Sequence, residues 1–87
     1  MNTLEQMQKK LAALAPESME ILDDSAKHAG HEGAKSGGGH YSLTIVSPQF
    51  SGQGTLARHR LVYETLGDMM HKEIHALSIR AFTPDEI

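Results

Sequence analysis

Two stretches of alternating residues bracket a helical stripe in this chain, and that order limits its fold more than any other feature. Tyr41-Ser42-Leu43-Thr44-Ile45-Val46-Ser47 alternates and is rich in β-branched residues, which reads as a strand ended by Pro48. Leu56, His59, Tyr63, Leu66 and Met70 then recur at helical spacing. Ile74 to Ala81 alternates again, with His75, Leu77, Ile79 and Ala81 on one side. A strand that reaches the next strand through a helix makes a crossover, and a crossover within one sheet implies a parallel pair.

Upstream of this unit, Thr3 and Gln6 have capping-box spacing, and Leu4, Met7, Leu11 and Leu14 follow at helical intervals. Pro16 stops the run, so a first helix is expected over residues 4–14. Met19-Glu20-Ile21-Leu22-Asp23 is short and apolar, and reads as a first strand that pairs antiparallel with its sequence neighbour. The segment from Asp24 to Gly39 is rich in Gly, Ala, Ser, His and charge and is expected to be a long flexible loop. Loops longer than about 12–15 residues in compact domains are usually functional or disordered. Gly67-Asp68 is expected to split the later helical segment, and Thr83-Pro84-Asp85-Glu86 repeats the capping-box spacing with proline at the first helical position. The expected order is α-β-β-α-α-β, an α+β domain with a three-stranded mixed sheet and helices on one face.

With 87 residues, the chain is read as one domain with one modest core, since a chain this short buries only about 60–65% of its unfolded surface. No apolar run approaches the roughly 18 residues that span a bilayer, and residues 1–5 lack a signal-peptide pattern, so a cytoplasmic location is expected. The absence of cysteine excludes disulfides, thiol nucleophiles and a cysteinyl cluster supplied by this chain alone. Against that stand six histidines. If the first two strands are antiparallel and the last two parallel, the end of the first and the starts of the other two share one end of the sheet. His28, His31, His40, His71 and His75 belong to that end; His59 does not.

Each histidine has an ordinary reading beside a chemical one. His75 opens the last strand on the side of Leu77 and Ile79, where either a packed core edge or a metal ligand fits. His28 and His31 are solvated loop residues or ligands folded over His75. His40 is read as capping or packing, His71 as a helix-end cation favoured by the helix dipole, and His59 as a buried, hydrogen-bonded imidazole. Two or three neutral imidazoles can bind Zn²⁺, Cu²⁺ or iron, so a mononuclear metal at this end is one expectation. Two can also replace two thiolates on one iron of a [2Fe–2S] centre.

At this point a set of ordered motifs matches a family. Asp23-Asp24-Ser25-Ala26-Lys27-His28, Ile45-Val46-Ser47, Phe50-Ser51-Gly52, Arg58-His59-Arg60-Leu61-Val62-Tyr63, Ile74-His75-Ala76-Leu77 and Thr83-Pro84-Asp85-Glu86 together resemble BolA proteins. The resemblance implies a class II KH-like fold, and a monothiol glutaredoxin as partner. It further implies a shared [2Fe–2S] cluster completed by the glutaredoxin cysteine and glutathione. The family's ligands are a histidine opening the last strand, matched by His75, and a His or Cys in the loop after the first strand. The loop ligand is best matched by His28, with His31 as the neighbour that can substitute. One departure is Gly38-Gly39-His40-Tyr41, where many members carry Glu-Ser or Glu-Thr before the His-Phe or His-Tyr pair.

The family resemblance also carries a second role, DNA-binding transcriptional regulation linked to stress and cell shape. Arg58 and Arg60 are the candidate phosphate contacts, and the net charge of −3 supplies no basic footprint for the molecule as a whole. Gly30-His31-Glu32-Gly33 has the spacing of a KH clamp but is acidic and lies between strands, so it is read as coincidence. No nucleophile, base and acid are grouped, no small-molecule substrate is implied, and the chain is not read as an enzyme.

Overall fold

The computed structural model describes residues 2–24 and 39–87. Helix α1 spans Thr3–Leu11, and its N-cap is Asn2, whose Oδ1 accepts the Glu5 N–H at 2.9 Å. This corrects the expected Thr3 cap by one residue. Asparagine is at least as strong an N-cap as threonine and here precedes it by one residue. The last turn tightens to a 3₁₀ turn over Ala12–Leu14 and closes on Ala15 in the left-handed region, φ 48 and ψ 53. Pro16 disfavours the right-handed helical conformation at the residue before it, which is why an alanine ends the helix here.

The sheet has three strands in the order β1-β2-β3: β1 over Ser18–Asp23, β2 over Gly39–Val46 and β3 over Ile74–Phe82. The β1–β2 pair is antiparallel, with Ser18 opposite Val46 and Asp23 opposite Tyr41. The β2–β3 pair is parallel, with Tyr41 opposite Leu77 and Val46 opposite Phe82. Both the topology and the mixed character of the sheet agree with the expectation. Helix α2, Thr55–Leu66, carries the crossover. It ends at Gly67, φ 59, followed by a 3₁₀ turn to His71, so the expected break falls where a glycine supplies a positive φ.

Along β2, Tyr41, Leu43 and Ile45 are buried while His40, Ser42 and Thr44 are half-buried, the two-residue period of a sheet with one covered face. The covered side packs Met7, Leu11 and Leu14 of the first helical segment, Phe50, and Val62, Leu66 and Met69 around α2. Each such side chain contributes about 1.5–3 kcal/mol by leaving water. The stripe expected on α2 holds at Leu66, which is buried, and is corrected at Leu56 and Tyr63, which are 71% and 41% exposed; Val62 joins Leu66 on the core side. The expected stripe and the buried one, Val62, Leu66 and Met69, both have helical spacing and share Leu66. Burial falls on the one without an imidazole or a phenol, whose polar atoms would each need a partner inside.

The pole of the sheet where β2 ends is tied by hydrogen bonds. Ser47 is fully buried; its Oγ donates to the Leu14 carbonyl at 2.6 Å and accepts the Gln49 N–H at 3.1 Å. Arg58, at the start of α2, forms a two-pronged pair with Glu86, Nη1 to Oε1 at 2.6 Å and Nη2 to Oε2 at 3.0 Å. Its Nε and Nη1 also donate to the Gln53 and Ala81 carbonyls at 2.7 and 3.0 Å. Glu86 in turn accepts the Thr83 N–H at 2.7 Å, which completes the expected capping box of the C-terminal turn.

Two outcomes follow from these contacts. The Arg58 guanidinium, then the Thr83 N–H, hold the Glu86 carboxyl at about 2 instead of 4.5. A depressed folded-state value stabilises the fold above the unfolded value and loses that contribution as pH falls from about 4.5 through about 2. In thermal melts, the gap between wild type and Glu86→Gln is therefore expected to be constant above pH 4.5 and to close across that window. At the other pole, a Cβ on Gly39 would lie 2.6 Å from the Tyr41 hydroxyl and 2.7 Å from two ring carbons. Gly39→Ala is expected to cost about 1–3 kcal/mol in urea unfolding, and clearly less in a Tyr41→Leu background.

Candidate functional site

The register places the end of β1 and the starts of β2 and β3 on one rim. Asp23 stands opposite Tyr41, and Gly39 stands opposite Ile74. The Asp24 N–H donates to the His40 carbonyl at 2.7 Å, and the Gly39 N–H to the Glu73 carbonyl at 2.8 Å, so the backbone at this rim is stitched on both sides of β2. On the sheet face away from the helices, the Ser42 hydroxyl donates to Asp24 Oδ2.

A bulge interrupts the β2–β3 ladder at this rim. Gly39 pairs with Ile74 and His40 with Ala76, which leaves His75 as the extra residue. Bulges are rare in parallel pairs and are used to re-aim a side chain. Here Ile74 takes the core side and is 2% exposed, three residues before Leu77 instead of at an even interval. His75 is displaced to an exposed position. The expectation that His75 shares the side of Leu77 and Ile79 is thus corrected: alternation holds from Ala76 onward and fails at the one residue that the bulge adds.

The displaced imidazole lies beside that of His40, with ring centroids 5.1 Å apart and planes at 48°. The sequence leads one to expect a capping or packing residue at His40. Its neighbour Tyr41 is buried, so period-two alternation already put His40 on the face away from the helices; its approach to His75 depends on the bulge, which no periodicity reveals. Close by in sequence, the Glu73 Oε2 is buried with no hydrogen-bond partner among the described residues. An unsatisfied buried acceptor costs about 1–3 kcal/mol.

The other candidates are distributed around this pair. His71 is the exposed last residue of the 3₁₀ turn leading into β3, and with Tyr63, Glu64 and Met70 it borders a shallow open groove. His59, on α2, is half-buried instead of enclosed. His28 and His31 lie outside the described residues. Arg60 is exposed, whereas the Arg58 guanidinium is directed at Glu86 and two carbonyls, with 13% of its side chain exposed. Among the described residues no group of three or more His, Asp or Glu side chains is placed to hold a metal ion. What the rim offers there is a pair of nitrogen donors on adjacent strands.

The chain and its fold have counterparts among known proteins. The family model for BolA-like protein matches residues 11–86. SufE-like protein 1, chloroplastic/mitochondrial, of Arabidopsis thaliana is 39% identical over 92 aligned residues, covering all of this chain and 24% of that protein. The DNA-binding transcriptional regulator BolA of Vibrio cholerae is 38% identical over 81 residues, covering 92% of this chain and 74% of its own length. The solved structure of BolA1 from Arabidopsis thaliana superposes with a TM-score of 0.84 at 38% identity, covering 100% of this chain and 98% of that one. The chain spans about a quarter of the first relative and about three quarters of the second. Given the matched segment, the shared fold and these identities, the chain belongs to the BolA-like protein family.

Proposed function

We propose that this chain is a non-enzymatic partner of a monothiol glutaredoxin and that it supplies imidazole ligands to a shared [2Fe–2S] cluster, for cluster trafficking or iron sensing. The observation that carries this reading is the bulge, which takes His75 out of the core and exposes it on the rim. That rim is also where the segment between Asp24 and Gly39, with His28 and His31, leaves β1 and rejoins β2.

The donor chemistry fits the group. Imidazole nitrogen is an accepted ligand for iron, and a histidine pair on one iron raises the cluster potential relative to an all-thiolate site. The chain has no cysteine, so the thiolates come from the glutaredoxin and from glutathione. His75 is the strand ligand in this proposal and His28 the loop ligand, with His31 as its substitute. The backbone bonds at Asp24 and Gly39 hold the two ends of the ligand-bearing segment at a set distance from His75. Among the described residues no helix is long and apolar enough to cross a membrane, and a cytoplasmic setting is part of the same proposal.

A second reading, DNA-binding regulation, draws on the names of the Vibrio cholerae and Escherichia coli relatives. Of its two candidate contacts, Arg58 is engaged with Glu86, Gln53 and Ala81, which leaves Arg60, on a chain of net charge −3. The cluster reading is the better supported.

Mixing the chain with a monothiol glutaredoxin, glutathione, iron and sulfide is expected to shift the visible absorption and circular dichroism away from those of the glutaredoxin homodimer. His75→Ala should abolish the shift and His28→Ala should weaken it. The proposal fails if neither substitution alters the spectrum or the association. Steeply salt-dependent, sequence-selective binding to duplex DNA that depends on Arg60 would favour the second reading instead.

A further inference from the structure

The pairing of His40 with His75 has a use that the glutaredoxin reading leaves aside. We propose that these two imidazoles form a chelating pair that takes one nitrogen-preferring divalent cation, such as Zn²⁺ or Cu²⁺, on the chain by itself. The inference shares His75 with the cluster reading and does not otherwise rest on it. It needs no partner protein and no residue of the segment between Asp24 and Gly39.

Three observations carry it. The first is distance. With zinc–nitrogen bonds of about 2.1 Å, each imidazole centroid stands about 3.2 Å from the ion. Two such rings at the tetrahedral angle have centroids about 5.2 Å apart. The rings of His40 and His75 are 5.1 Å apart, with planes tilted by 48°. The second is access. His40 is half-buried and His75 exposed, and neither belongs to the buried apolar cluster. The third is backbone preorganisation. His40 stands in the ladder of the central strand, bonded on both flanks of the rim, and His75 is set by the bulge. Little backbone ordering remains to be done on binding, and the remaining coordination positions are left to water or to an added ligand.

The donor type sets the expected preference among metals. Imidazole nitrogens favour Cu²⁺ over Zn²⁺ and both over Mg²⁺ or Ca²⁺, which prefer oxygen.

The test uses the whole chain without glutaredoxin. Substoichiometric Cu²⁺ is expected to broaden the ring-proton resonances of His40 and His75 together while those of His59 and His71 stay sharp. In Zn²⁺ titration calorimetry, one site per chain is expected, and His40→Ala and His75→Ala should each weaken it by at least about tenfold, the lower end of what the loss of a mere supporting partner costs. The double variant His28→Ala/His31→Ala should retain it. The proposal is overturned if His75 broadens with His28 or His31 while His40 stays sharp, or if His40→Ala binds Zn²⁺ as wild type does. Either result would reduce the His40–His75 contact to aromatic packing. The copper experiment on the unaltered chain decides the matter even if an alanine variant fails to fold. A negative glutaredoxin titration would leave this result standing, and the reverse also holds.

Discussion

Every other part of this molecule depends on β2 being hydrogen-bonded on both sides with opposite polarity, antiparallel to β1 and parallel to β3. A hairpin-like partner on one side brings the end of β1 back to the start of β2. A crossover partner on the other brings the start of β3 to the same place. Residues some fifty positions apart in the chain thereby become neighbours without any contact between their side chains being required. The strand can hold this position because it is covered on one face only: Tyr41, Leu43 and Ile45 anchor it to the helices, and the alternate residues remain accessible.

Much of this was legible in the residues. Strand order and polarity came from the sequence of alternating, helical and alternating segments, and the proline-marked ends of α1 and β2 fell close to where they were read. The break at Gly67 and the capping box at Thr83–Glu86 also stand where local chemistry put them. What was not legible was set by long-range packing. The buried stripe of α2 could not be chosen between two sets with the same period, because the choice depends on which face meets β2 and α1. The bulge at His75 has no local signature; it arises where Ile74 must reach the core at a rim already filled by the Tyr41 ring packed over Gly39. Unbroken alternation would have put His75 on the core side, and only the bulge turns it outward.

The two arginines show how residues of one local pattern can take different places in the fold. Arg58 and Arg60 flank a histidine at a helix start, which looks like a basic contact surface. In the fold they part company: Arg60 faces water, and Arg58 fastens the start of α2 to the turn after β3. The fastening is two-pronged, a geometry that guanidinium offers and ammonium does not, so an arginine is required there for structural reasons alone.

The separation between the two poles has a further consequence. The contacts that hold the chain shut, at Ser47, Arg58 and Thr83, gather beyond the C-terminal ends of β2 and β3, while His40 and His75 stand at the opposite margin, outside the buried cluster. Exchanging a side chain at that margin removes no member of the buried cluster. Side chains at that margin can therefore change at nearly constant stability, so surface chemistry there is free to vary while the architecture is not.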